Sequence, residues 1–149
     1  MRLVIQRVLE ASVEVDGKTV GACKQGYLVL CGAETGDTPE EVEYCVNKTA
    51  YLRVFEDEAG KMNRSILDIK GSILAISQFT LLGDARHGRR PSFDQAEAPG
   101  VATGLYDRYC ESLAAMGIPV EKGIFGADMK VSLVNDGPVT ILIDSRKKF

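Results

Sequence analysis

Tryptophan is absent from this chain, histidine occurs once, and the four cysteines, Cys23, Cys31, Cys45 and Cys110, form no C-x-x-C pair. A Ser-His-Asp or Cys-His arrangement would therefore have to use His87, which sits among arginines in a glycine-flanked loop rather than on a rigid element. A catalytic zinc needs three close protein ligands, and one histidine with four scattered cysteines has no recognisable zinc spacing. Neither a P-loop nor a G-x-G-x-x-G follows any strand, so the usual cradles for nucleotide phosphates are missing. Unpaired cysteines in a chain of this length point to reduced thiols in a cytosolic compartment. No segment approaches the ~18 uninterrupted apolar residues of a membrane span. Arg2 and Arg7 fall inside Met1 to Val8, where a signal peptide would be apolar. The expectation is a soluble, unexported, cytoplasmic protein with no membrane partner.

An excess of positive charge is missing as well. The 18 Lys and Arg against 21 Asp and Glu leave a net charge of -3, which argues against indiscriminate nucleic-acid binding, so any RNA contact must be local. Arg86, His87, Arg89 and Arg90 form the main basic cluster, with smaller groups at Arg53, Lys61 and Arg64 and at Arg146, Lys147 and Lys148. Each is either a contact for phosphates or a solvated surface. Internal repeats and low-complexity segments are absent, and 149 residues with 45% hydrophobic content fit one domain spanning 1–149.

What is present reads as strands first. Leu3 and Ile5, then Val13 and Val15, alternate with polar residues, and Asp16-Gly17 is a two-residue turn before Lys18 to Ala22. Tyr27 to Cys31 suits a strand buried on both faces, which periodicity alone does not separate from a buried helical turn. Thr38-Pro39-Glu40-Glu41 is a capping box with proline at the first helical position, and Val42, Cys45, Val46, Thr49 and Leu52 form the buried stripe of the helix it opens. Gly71 to Phe79 is a core strand, followed by a polar, irregular stretch from Gly83 to Pro99. A second helix is expected from about Val101 to Met116, stopped by Gly117 and Pro119. Met129, Val131 and Leu133, then Val139, Ile141 and Ile143, alternate as two strands with Asn135-Asp136-Gly137-Pro138 as the turn between them. The fold class is mixed α/β and strand-rich, a curled, antiparallel-rich sheet or barrel with two packed helices.

With no strong side-chain base in view, catalysis would depend on positioning and backbone electrostatics, at a strand end. Ser77-Gln78-Phe79-Thr80-Leu81 emerges at such an end, directly from the apolar run Ile73 to Ile76. It is either a set of N–H groups aimed at a ligand, as in an oxyanion hole, or the solvent face of a sheet. Gly137-Pro138 is either a plain turn or a deliberate cis bond.

These two segments, Ser77-Gln78-Phe79-Thr80-Leu81 and Asn135-Asp136-Gly137-Pro138-Val139-Thr140, resemble the two signature motifs of the D-aminoacyl-tRNA deacylases. The likeness extends to Met1-Arg2, Gln6-Arg7-Val8, Pro91-Ser92-Phe93 and Gly123 to Met129, so it runs essentially end to end. It implies hydrolysis of the ester between a D-amino acid and the 3′ end of tRNA, extending to glycyl-tRNA mischarged on tRNA(Ala), with no metal and no cofactor. It further implies that Gln78 and Phe79 N–H groups stabilise the oxyanion while Ser77 and Thr80 shape the site. The ribose 2′-hydroxyl would help activate water, with Thr80 as nucleophile the competing version. A cis Gly137-Pro138 would enter the partner's site in a homodimer and exclude L-residues. Phe125, Met129, Asn135 and Thr140 would line the pocket, and Arg86, Arg89 and Arg90 would contact RNA.

Overall fold

The computed structural model describes every residue from Met1 to Phe149. The first strand, β1 (Arg2–Val15), is the longest run of alternation at the start of the chain and the axis of the sheet. Asp16 (φ 50°) and Gly17 (φ 77°) turn it into β2 (Lys18–Cys23), two left-handed residues in sequence as a type I′ hairpin requires. Next comes β3 (Gly26–Gly32), which pairs antiparallel with the first half of β1 and parallel with β6 (Ser72–Ser77). Between them lie α1 (Pro39–Tyr51) and a small hairpin, β4 (Phe55–Glu56) with β5 (Met62–Arg64). After β6 come a 3-10 turn (Phe79–Leu82), α2 (Pro99–Ala115), β7 (Val120–Lys122) and β8 (Lys130–Asp144).

Period-2 alternation in β3 and β6 produces two cores. Tyr27, Val29, Ile73 and Ala75 face a 25-residue cluster shared with both helices, whereas Leu28, Leu74 and Ile76 face a 7-residue cluster inside the curled sheet. Both strands are therefore buried on both faces, which is why they read as continuous apolar runs. The capping box on α1 forms as expected: Thr38 Oγ1 accepts from Glu40 N–H (3.3 Å), and Glu41 Oε2 accepts from Thr38 N–H (2.7 Å). Tyr109 of α2 and Thr49 of α1 share a hydroxyl bond of 2.8 Å in the layer between the helices.

The sheet runs β2-β1-β3-β6-β7, with β8 along the other side of β1. Its ends almost meet: the Ala22 N–H of β2 donates to Glu121 Oε1 of β7 (3.0 Å), and a Cβ on Gly21 would stand 2.6 Å from Lys122 O. A side chain bridges the last gap, leaving a barrel that is nearly closed. The sheet is antiparallel-rich, as expected, because β1 pairs antiparallel with β2, β3 and β8, and it is mixed because β3, β6 and β7 are mutually parallel.

One expectation fails in an instructive way. Asn135 to Pro138 is no turn between two strands, because β8 continues through it in one direction. Gln6 pairs with Thr140 and Val8 with Asn135, so a large bulge pushes Asp136 to Val139 out of the ladder. Turn-type residues here serve a bulge, which uses the same left-handed glycine geometry without reversing the chain.

Candidate functional site

Ser77 ends β6, Gln78 follows it, and Phe79 and Thr80 open the 3-10 turn, half-buried at Ser77 and Gln78 and exposed at Phe79 and Thr80. Parallel pairing dictates where the polar set appears: Cys31 is the last partner of β6, and Gln78 N–H still donates to Cys31 O (2.8 Å). The turn's first internal bond runs from Leu81 N–H to Gln78 O (3.2 Å). Phe79 and Thr80 N–H therefore precede it, as the opening donors of any helical turn do. The resemblance puts Gln78 and Phe79 N–H at the oxyanion; here the Gln78 N–H is engaged by the sheet, and the consecutive pair left over is Phe79 and Thr80. The Gln78 side-chain amide donates to Thr80 Oγ1, which fixes the hydroxyl. Phe79 is 56% exposed and meets Phe93 edge to face (centroids 5.2 Å apart).

Met129 adjoins the same strand end. A Cβ on Gly123 would lie 2.5 Å from Met129 Sδ and 3.2 Å from Ile76 Cδ1, so glycine lets Met129 settle against the residue before Ser77. Phe125 lies instead beside Tyr106 (centroids 6.3 Å apart) against the outer core. Tyr106 O–H donates to Ala75 O (2.7 Å) and Gly123 N–H to the same oxygen (3.2 Å), tying α2 and the residues after β7 to β6.

The second signature is a braced bulge. Gly137-Pro138 is cis, and both residues are exposed. Asn135 Oδ1 accepts from Val139 N–H (2.7 Å), while Asn135 Nδ2 donates to Val139 O (3.2 Å) and Thr140 Oγ1 (3.4 Å). The asparagine amide thus replaces the ladder partners that the bulge forfeits. Beneath it, the buried Arg7 donates through Nε to Asp136 O (2.8 Å) and through Nη1 to Val54 O. Arg7 is the bracing residue that reading by motif underrates. Its signal is visible in the pattern, for Arg7 continues the buried phase of Leu3 and Ile5 and a guanidinium there must satisfy buried acceptors.

Along the sheet of one chain the two signatures do not meet. Thr140 pairs with Gln6, Gln6 with Leu28 and Leu28 with Leu74, three residues short of Ser77. Three strand steps separate them, about 14 Å at the usual spacing.

The basic loop is closed by Asp84 and Ser92, which exchange backbone hydrogen bonds (2.7 and 2.9 Å). Arg86 turns back on Asp84 through Nε (2.9 Å) and Nη2 (2.6 Å), and this guanidinium holds the Asp84 carboxyl far below the usual carboxylate range. Arg89 and Arg90 are exposed and form no ion pair. His87 is exposed in the same loop.

All four cysteines are buried and free. Burial pushes the Cys23 thiol up to about 11 and those of Cys45 and Cys110 to about 12, so none offers a thiolate near neutral pH. No three His, Cys, Asp or Glu side chains converge in a way that could hold a metal ion. No helix is long and apolar enough to cross a membrane.

Comparison with known proteins agrees with this geometry. The sequence model of the D-Tyr-tRNA(Tyr) deacylase family matches residues 4–144. The D-aminoacyl-tRNA deacylase of Geotalea uraniireducens is 57% identical over 147 residues, 99% of this chain and 95% of that protein. Its counterpart in Geobacter sulfurreducens is 56% identical over 148 residues, covering 99% and 97%. Among solved structures, a c-Myc DNA unwinding element binding protein superposes with TM-score 0.91 at 42% identity, over 97% of this chain and 98% of that one. A probable eukaryotic D-amino acid tRNA deacylase shares the fold, with TM-score 0.83 at 21% identity over 95% and 97% of the chains. Matched by the family model over most of its length, with both signature segments set in a braced, nearly closed barrel, the chain belongs to the D-Tyr-tRNA(Tyr) deacylase family.

Proposed function

We propose that the chain hydrolyses the ester joining a D-amino acid to the terminal ribose of tRNA, acting in the cytoplasm as a homodimer of one-domain protomers without metal or cofactor. The observation that carries this reading is the pair of Phe79 and Thr80 N–H groups at the end of β6, donors without a turn partner where a carbonyl oxygen can develop charge. Thr80 lacks a side-chain base, since the one histidine lies in the basic loop and the thiols are protonated. The ribose 2′-hydroxyl is then the nearest group able to assist water. Met129 supplies an apolar wall beside the strand end, and Arg89 and Arg90 offer charge to RNA phosphates.

Chirality is assigned to Gly137-Pro138 acting in trans. The separation of the two signatures within one protomer supports a site completed by a second copy. So does β8, which pairs only with β1 and leaves a 15-residue strand edge free, with Val134 and Leu142 exposed along the strand. Long free edges call for a cover. Carbonyl oxygens at the bulge would occupy the space of an L side chain and leave that of a D side chain open, so the pocket rejects one hand without reading the side chain. Glycine passes for the same reason, which extends activity to glycyl-tRNA mischarged on tRNA(Ala).

Release of amino acid from D-tyrosyl-tRNA and L-tyrosyl-tRNA by chelator-treated enzyme tests the proposal. Loss of the D-ester alone is the expected result. A nucleic-acid-binding module is the second reading, favoured by the DNA-binding name of the 42% identical structure; affinity without turnover of either ester would establish it. Thr80→Ala separates the two chemistries. Loss of one aligned hydroxyl slows hydrolysis about tenfold, whereas loss of a nucleophile costs about a million-fold; trapping of an acyl group on Thr80 would overturn the water mechanism.

A further inference from the structure

The 3-10 turn does not end in solvent. It runs into a cleft of about 540 Å³ whose walls include Arg2, Gly83, Asp84, Arg86, Lys148 and Phe149. Three of these residues are cationic, and their counter-charges are arranged unevenly. Arg2 pairs with Asp144, and Lys148 with Glu34, but the Asp144 and Glu34 side chains are 0% and 5% exposed. The cations stand outside them, with Arg2, Lys148 and Arg86 side chains 20%, 41% and 74% exposed. Asp84 is the one acidic side chain in the lining, and Arg86 occupies both its oxygens. The face presented to solvent is therefore cationic although the pairs behind it are neutral, and an anion entering here meets guanidinium and ammonium groups first.

Position gives the cleft a role. Arg2 Nη1 donates to Leu81 O (3.1 Å), so the cationic wall is bonded to the turn that carries Phe79 and Thr80. Thr80 and Gly83 are three residues apart on that turn, about 6 Å at the 3-10 rise. An RNA end whose terminal ester sits at Phe79 and Thr80 thus meets the cleft about one nucleotide upstream.

We propose that this cleft binds the phosphodiester preceding the terminal nucleoside of the RNA, through Arg86 and Lys148, with Arg2 holding the wall in register. The site rests on the reading of the chain as an esterase acting on an RNA 3′ end. Arg86 commits Nε and Nη2 to the half-buried Asp84 and keeps Nη1 for a phosphate oxygen, a charge-assisted hydrogen bond. Lys148 keeps Glu34 behind it and turns its remaining donors outward.

The test compares two small esters that differ by one phosphodiester, D-tyrosyl-adenosine and D-tyrosyl-cytidylyl-adenosine. In the wild-type protein the dinucleotide ester has a KM about tenfold lower, as expected of a charge-assisted hydrogen bond. In Arg86→Gln/Lys148→Gln that advantage shrinks to less than about threefold, and the slope of log KM against log salt falls by about 0.7 for each phosphate no longer neutralised. A variant that merely folds poorly lowers turnover of both esters and leaves their ratio alone. An advantage equally large in the variant, or absent from the wild type, overturns the phosphate site while leaving the esterase reading intact. Failure of the wild type to hydrolyse either ester overturns both.

Discussion

Gly137→Ala lowers kcat/KM on D-tyrosyl-tRNA by about a hundredfold or more and narrows the preference for the D-ester. Gly137 has φ +142°, a region that L side chains rarely enter, and an added Cβ would lie 2.8 Å from Val139 Cγ2 and 3.2 Å from Arg7 Nη2. The strained backbone alone costs about 1–3 kcal/mol. Rotating Val139 would still leave its backbone N 3.1 Å from the new Cβ, and that N–H is held by Asn135, as Arg7 is held by Asp136 O and Val54 O. If the bulge discriminates between hands as proposed, displacing it moves its carbonyl groups from the discriminating distance, and a 1 Å error in a catalytic constellation is worth about a hundredfold in rate. The measurement is the ratio of kcat/KM for D- and L-tyrosyl-tRNA together with a thermal melt. A variant with wild-type rate and selectivity would show that the bulge plays no part in the site.

Gly26→Ala leaves little folded protein at 37 °C. Gly26 has φ +153°, and its missing Cβ would fall 1.8 Å from Ser72 O and 2.7 Å from Ser72 N, both backbone atoms. No side chain can rotate to make room. Gly26 is the first rung of both the β3–β6 and the β1–β3 ladders, so separating it from Ser72 loosens the two strands that are buried on both faces. The expected destabilisation exceeds about 4 kcal/mol, the range reserved for severe backbone clashes, against a total stability of about 5–15 kcal/mol for a domain. Gly104→Ala provides the control: it lies exposed within α2 with nothing near its Cβ position, and alanine there stabilises by about 0.5–1 kcal/mol. Urea midpoints measure both; a Gly26→Ala midpoint near that of the wild type would contradict the packing of β3 on β6.

Much of the site is legible because it is short in sequence. Ser77 to Thr80 follows an apolar run that can only be a buried strand, and a polar set at its end is visible without coordinates. The basic loop can be located, yet its charges cannot be sorted: Arg86 turns back on Asp84, two residues away, while Arg89 and Arg90 stay unpaired. Arg2 and Lys148 carry no local sign of belonging beside that loop, because their approach depends on β1 and the C-terminal residues meeting at one edge of the fold. Residue types mark the Asn135 to Pro138 segment correctly as irregular but suggest the wrong shape. Asparagine, aspartate, glycine and proline favour hairpin turns and bulges for the same local reasons, and only the partner strand decides between them.

Local structure, and the chemistry that could be ruled out, follow from the order of residues. Alternation fixed the strands and their buried faces, Thr38 to Glu41 fixed the start of α1, and one histidine with no ligand spacing made triads and zinc sites poor candidates. These are properties of residues near one another along the chain, where periodicity and capping act. Only the folded arrangement shows that β8 passes through its bulge alongside β1, and that Gln78 N–H is engaged by Cys31 so that Phe79 and Thr80 remain as donors. The same holds for Arg7, which braces the bulge from beneath, and for the two signature segments, which lie three strands apart. Each depends on strand pairing between residues far apart in the chain, and pairing is set by the closure of the sheet around its two cores, which no local pattern encodes.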